Sequence, residues 1–469
     1  TVSRDDGGIW AYVKRPKLEG AGDWTHQYGS ADNTTNSRDD LVRGEMEILW
    51  WGEPGPRPMP DRGGRNPAPL AANGRMFVQG DRVLFGLDAY NGTVLWTFFS
   101  PEMRRSNMPR DGSNMVATDD TLFVSIGSEC IALDAQTGKR RLSIKTPKDR
   151  EVGWASATNK QLLTTTVKPG SEYRADVGEW YDAAKKASDI ARMVSDSLVS
   201  HDSVTGKQQW SYQGGAVMNS TITIAEEIIY FVESRNAKLS QSASSRVAPA
   251  ELTSQYLVAL NSVSGEKLWE KPVNFSKCEN MLYLIHSQGT LIVSGSDQNK
   301  HYHIYAYDVS SPALRFGTEN PEIPELWRES ATGSDKDRKR FTHHGGHLQH
   351  PLVVGQTLYS DWRAFDLRSG DRKKDITVPP RRGCGNMAAS NHSMFYRNHS
   401  QTVWDLNTGK TTPLQGSRTG CWLGMIPAQG LMLAPESSGG CSCDKGDISI
   451  QTSAAWIPKA SLFRSKKDQ

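Results

Sequence analysis

Four of the chain's eleven histidines fall within eight residues, at His343, His344, His347 and His350. Imidazoles at this density can supply two or three ligands to a divalent metal, with calcium and zinc as the candidates. Alternatively, His347 or His350 can act as a general base near neutral pH. The blander reading is a Gly-His loop with one packed member. His350-Pro351 heads a strand and is the histidine expected to be buried. A second cluster joins Arg382-Gly-Cys384, Arg418-Thr-Gly-Cys421 and Cys441-Ser-Cys443. Four thiols can make two disulfides or one tetrahedral metal site. The spacing is not that of a zinc finger or ribbon, so disulfides are favoured, and their pairing is not deducible from spacing. Cys130 reads as a buried free thiol in a strand, and Cys278 is left open.

What positions these residues is a repeat. An apolar strand ends in Asp, a Gly follows four residues later, and often a Trp after that. It runs Leu87-Asp88 to Gly92 and Trp96, Leu133-Asp134 to Gly138, His201-Asp202 to Gly206 and Trp210, and Leu260-Asn261 to Gly265 and Trp269. Weaker copies stand at Tyr307-Asp308, Phe365-Asp366 to Gly370 and Trp404-Asp405 to Gly409. Asp bonds the backbone of a turn and Gly takes its positive φ. The flanks alternate apolar and polar as half-buried strands do. The interval is the roughly 40–50 residues of one four-stranded blade, stretched by insertions. A helix-forming insertion is expected near 179–194, a Ser-rich excursion over 234–254 and a charged loop over 316–346. The tryptophans are expected to lie between adjacent sheets.

The expected fold is all-β, an eight-bladed β-propeller, with seven blades as the alternative. Met46–Trp51 reads as an N-terminal strand that closes the last blade beside Ile448–Trp456, which removes both exposed edges. Residues 1–45 read as an N-terminal extension packed on the propeller, 46–458 as one propeller domain, and 459–469 as a basic tail. In such a ring the starts of the innermost strands converge on a central funnel. This picks out Asn66, Arg110, Asn114, Trp154, Asn219, His350, Arg382 and Trp422 as a ligand site.

Composition narrows the class. The net charge is +3 and hydrophobic residues make up 37%. No apolar run is long enough to span a membrane. Lys and Arg are scattered, so no nucleic-acid footprint is expected. There is no Cys-x-x-Cys-His, hence no attached haem. Thr1 at the start reads as a processed or trimmed end. The late cysteines fit an extracytoplasmic setting, periplasmic or secreted.

The Asp-to-Gly turns and following tryptophans resemble the tryptophan-docking, PQQ-type repeats of the quinoprotein-dehydrogenase propeller superfamily, over about residues 46–456. That resemblance implies a quinone stacked between a Trp and an adjacent Cys-Cys disulfide, with calcium on Glu, Asn and Asp. This chain has no adjacent cysteines, so PQQ is not expected. Trp24-Thr-His26, Asp32-Asn33, the two Arg-…-Gly-Cys elements and Cys441-Ser-Cys443 also look like secreted propellers of planctomycete-type bacteria. The same repeat is similar to that of outer-membrane assembly lipoproteins.

The function expected is a funnel that binds or cleaves an acidic polysaccharide by lyase chemistry, with or without a divalent metal. His350 or His347 would take the proton, Arg110, Arg382 or a metal would neutralise the carboxylate, and Trp154 and Trp422 would stack on sugar rings. The alternatives are a quinoprotein-like oxidoreductase without the usual quinone ligands, and a non-catalytic scaffold with protein partners.

Overall fold

The computed structural model describes residues 2–5, 7–11, 16–55, 58, 67–104, 111–158, 160–172, 191–317, 321–330, 348–381, 383, 385–414, 419, 423–435 and 452–459. These residues form a β-propeller: eight antiparallel sheets and one short hairpin, Val2–Asp5 with Gly8–Ala11. They hold no α-helix, only short 3-10 turns.

Six of the eight sheets are laid down in chain order from the inside outward, and sheets 4 and 8 depart from it. Sheet 1 runs Leu70–Ala72, Arg75–Gln79, Val83–Asp88 and Val94–Phe99. The innermost strands of sheets 2 to 7 are Met115–Ala117, Glu151–Thr158, Ala216–Met218 with Thr223–Ala225, Met281–Ser287, Leu352–Val354 and Ala388–Ala389. Sheet 8 starts at Ile426–Ala428, and its outermost strand is Met46–Gly52, paired antiparallel to Ser453–Pro458. The N-terminal strand therefore sits outside a C-terminal one. Ile426–Ala428 also contacts Leu70–Ala72, so the ring is closed.

The Asp-to-Gly turn does what its residue types dictate. Asp88 Oδ1 accepts from the Tyr90 and Asn91 amides at 2.8 and 3.2 Å, and the Gly92 amide returns to the Asp88 carbonyl at 2.9 Å. The tryptophan of one sheet docks on the turn of the next. Trp50 Nε1 donates to the Ala89 carbonyl at 2.8 Å, Trp96 to Ala135 at 3.0 Å, Trp210 to Ser262 at 3.1 Å and Trp327 to Leu367 at 3.1 Å. The turn glycine is the landing pad: a Cβ on Gly138, whose φ is +68°, would lie 2.6 Å from the Trp96 ring. Sheet 2 carries no such Trp, and Leu142 with Ile144 covers Gly206 instead.

The helix expected over 179–194 needs correction at its end. Residues 173–190 lie outside the described set, but Arg192–Ser195 is a strand, paired with Ala216–Met218 and with Arg246–Val247. Met193 and Val194 are buried in that pairing, and packing overrides the helical tendency of the preceding Ala/Lys run. Sheet 4 grows to seven strands by taking in this segment and part of the 234–254 excursion.

Residues 22–42 form a wreath inside the ring, at the ends of the innermost strands. Trp24 exchanges backbone bonds with Ala71 of sheet 1 at 2.7 and 2.8 Å. The Thr25 carbonyl takes the Ala117 amide of sheet 2 at 3.0 Å, and His26 Nε2 meets Ser156 Oγ of sheet 3 at 2.8 Å. Ala31, Asp32, Thr34 and Thr35 carbonyls accept from Ile224, His286, Val353 and Ala389 of sheets 4 to 7 at 2.8–3.1 Å. The Gly22 carbonyl accepts from Gln429 of sheet 8 at 2.8 Å. One segment thus touches all eight sheets in rotation. Asp39, fully buried, locks it: its carboxylate accepts from the Gly22, Leu41, Val42 and Gly430 amides at 2.7–2.9 Å. Burial still raises its pKa against those four donors.

Candidate functional site

The wreath gives the ring two unlike faces. It is bonded at the strand ends, and the opposite face is that of the strand starts. Four residues picked from sequence at the strand starts are described, and all four are buried braces. Asn219 accepts from Ser195 Oγ at 2.6 Å and donates to the Gly153 carbonyl at 3.2 Å. Asn114 donates to Gln79 Oε1 at 2.6 Å. Trp154 follows a bulge in its strand and lines a small cavity with Asp111, Ser113, Asn219, His26 and Tyr28. That cavity is about 20 Å³, room for roughly one water.

His350 is held just as firmly. It is 3% exposed and stacks on Tyr28 of the wreath, with ring centroids 3.7 Å apart and planes 19° from parallel. Its Nδ1 lies 2.8 Å from Thr35 Oγ1 and 2.7 Å from the Pro351 carbonyl, while Nε2 has no hydrogen-bond partner. Burial pushes its pKa down to about 3. The imidazole is neutral, with its proton fixed toward the backbone, and it is a poor base. Asn66, Arg110, His343, His344, His347, Arg382, Cys384, Cys421, Trp422, Cys441 and Cys443 lie outside the described residues. Among the described residues there is no disulfide, Cys130 and Cys278 are buried free thiols, and no group of three or more His, Cys, Asp or Glu is placed to hold a metal.

Two charged residues beside the funnel were not picked. Arg192 is 2% exposed, and its Nε and Nη2 have no hydrogen-bond partner. Asp111 is buried near it and accepts from the Met193 amide at 2.6 Å. Burial lowers the pKa of the arginine and raises that of the carboxyl, each opposed by the other's charge. The signal available in sequence was Asp111 itself, next to Arg110.

Among the described residues, one open space lies off-axis on the face of the strand starts. A cleft of about 740 Å³ runs between sheets 3 and 4 under the 234–254 excursion, within the size range of small-molecule sites. Lys148, Arg150, Lys168 and Arg235 line it against one carboxylate, Asp196. Gln213, Asn236 and five serines supply amides and hydroxyls. The cations differ in freedom. Lys168 Nζ is tied to the Leu239, Ser240 and Ser242 carbonyls. Arg235 pairs with Glu233 at 2.8 Å and Glu270 at 2.6 Å, lies 3.8 Å over the Tyr256 ring, and holds the Glu270 pKa down to about 2. Arg150 meets Asp196 at 2.8 Å. Lys148 is exposed and makes no ion pair among the described residues. The Ser-rich composition of 234–254 was the visible trace of this cleft.

The chain has no adjacent cysteines of the kind a stacked quinone would need.

Comparison with known proteins supports the fold. The model of one family, PQQ_2, described as outer membrane protein assembly factor BamB, matches residues 48–171 and 152–411. None of the curated proteins compared matches the sequence. Among solved structures, the quinohaemoprotein alcohol dehydrogenase of Comamonas testosteroni superposes with a TM-score of 0.57 at 13% identity, covering 94% of this chain and 82% of that one. A europium-containing methanol dehydrogenase gives 0.51 at 12% identity, covering 88% and 89%. The quinohaemoprotein alcohol dehydrogenase ADHIIG of Pseudomonas putida HK5 gives 0.54 at 12%, covering 93% and 80%. At these identities the likeness is one of fold.

Proposed function

The chain belongs to the PQQ_2 family, described as outer membrane protein assembly factor BamB, and from that premise we propose an extracytoplasmic propeller that binds acidic polysaccharide on its funnel face. One observation carries the reading: the cleft between sheets 3 and 4 presents four cationic side chains and one carboxylate, set among hydroxyls and amides. Carboxylates of a uronate chain would meet Lys148 and Arg150 at the rim, and sugar hydroxyls would meet Gln213 and Asn236. Charge-assisted contacts of this kind orient a ligand and set its salt dependence. Binding is favoured over cleavage, because the described candidate base, His350, is buried, weakly basic and tied to the backbone. A lyase variant would rest on His343, His344 and His347, with or without calcium or zinc, and metal analysis of the purified chain tests it.

The direct experiment is titration calorimetry of the full chain with an oligogalacturonate. Lys148→Ala with Arg150→Ala should weaken binding about tenfold or more, and wild-type affinity should fall with added salt. Equal affinity for a neutral oligosaccharide, or none for the uronate, would sink the proposal.

Family membership favours a second reading, a protein-binding scaffold. The outermost strands of sheets 8 and 1 are neighbours and expose Trp51 (63%) and Phe99 (74%). Large exposed apolar groups on one rim suit a protein partner. Photo-crosslinking from position 51 in cell-envelope extract tests this: a discrete adduct lost on Phe99→Ser supports it, and no adduct counts against it.

A further inference from the structure

The wreath face carries a second cavity, of different chemistry from the cleft. It measures about 430 Å³ and lies between wreath residues 32–38 and the strand ends of sheets 4, 5 and 6, with Asn391 at its edge. Its volume falls within the roughly 300–1,000 Å³ of small-molecule sites. Its back wall is His286, which is 4% exposed and stacks on Tyr230 with centroids 5.7 Å apart and planes 6° from parallel. The His286 amide is bonded to the Asp32 carbonyl at 3.1 Å. His286 lines the cavity, and its ring nitrogens make no hydrogen bond among the described residues.

The charges around it cancel. Arg38 pairs with Asp32, and Glu226 pairs with Arg315. Asp32 is further saturated by Ser30 Oγ, the Thr34 amide and Thr34 Oγ1 at 2.7–3.2 Å. Asn36 is spent on the Arg38 amide and the Val353 carbonyl, at 2.8 and 3.1 Å. What remains open is the imidazole, with one donor and one acceptor, together with Ser287 Oγ and the carbonyl oxygen of Gln288, whose amide nitrogen is held by Gly355 at 2.8 Å. This set alternates donors and acceptors and carries no net charge. It matches vicinal hydroxyls, each of which donates and accepts at once.

We propose that this cavity is a binding site for a neutral polyhydroxylated ligand of monosaccharide size, anchored by His286, Ser287 and Gln288. It lies on the opposite face from the acidic-polysaccharide cleft and does not depend on it. The test is binding of D-glucose, D-galactose and D-mannose to the full chain, followed by calorimetry and by the His286 side-chain NMR signal. At least one sugar should bind at millimolar concentration and move that signal. His286→Phe, which keeps the stacking on Tyr230, and Gln288→Ala, at an exposed position, should each raise Kd about tenfold, while Lys148→Ala leaves it unchanged. If His286→Phe does not fold, Gln288→Ala with the NMR signal still decides. No binding of any of the three at about 50 mM overturns the proposal, as does binding that ignores Gln288→Ala or responds to Lys148→Ala. Failure of oligogalacturonate binding at the cleft leaves this site standing, so the two readings fall separately.

Discussion

His26, His286 and His350 are all buried and neutral, with pKa values pushed down by burial to about 4, 4 and 3. In the unfolded chain each titrates near 6.5, so the unfolded state takes up protons first as pH falls. Stability is complete above about pH 6.5 and is lost between there and the folded values near 4 and 3. By pH 5 each imidazole costs on the order of 2 kcal/mol. The melting temperature should therefore drop clearly between pH 7 and pH 5, and His350→Phe should flatten that drop. An unchanged melting temperature across this range would contradict the assignment. At this scale the sequence was legible in part. Asn114 and His350 stand just before inner strands, Trp154 lies within one and Asn219 follows one. Their roles were hidden because their partners, Gln79, Asp111, Ser195 and Tyr28, lie 24 to 322 residues away along the chain. Spacing within one repeat cannot report such contacts.

At the level of elements, the sheets hold to each other through one indole at a time. Trp96 is 7% exposed, donates to Ala135 and covers Gly138. Trp96→Ala should cost about 3–5 kcal/mol through the lost burial and the cavity left behind. Trp96→Leu should recover part of this, since Leu142 already serves sheet 2 at the equivalent place. Thermal unfolding of both variants measures it, and equal losses would argue against simple packing. These contacts were readable because each is local: Asp, Gly and Trp are fixed by turn geometry, and the docking follows from the period. The helical expectation near 179–194 went astray at its end for the complementary reason. Arg192–Ser195 owes its strand form to Ala216–Met218 and Arg246–Val247, and a local propensity does not see a pairing made 20 or more residues later.

For the whole molecule, the wreath bonds to every sheet, so its removal should be felt everywhere. A chain beginning at Glu45 would leave backbone groups of six inner strands and of Gln429 unpaired, and each buried unpaired group costs about 1–3 kcal/mol. Such a chain should fail to unfold cooperatively, while one beginning at Lys17 should keep a single sharp transition in calorimetry. Gly22 is a finer probe, because a Cβ there would sit 2.2 Å from the Ser37 carbonyl oxygen. The wreath also sets a timetable. Residues 22–42 leave the ribosome about 400 residues before Gln429 and Gly430, which close their circle. Met46–Gly52 likewise waits for Ser453–Pro458. Until then the circle stays open, with Trp50 and Trp51 in reach of any chaperone. Folding of this ring is therefore completed at its beginning.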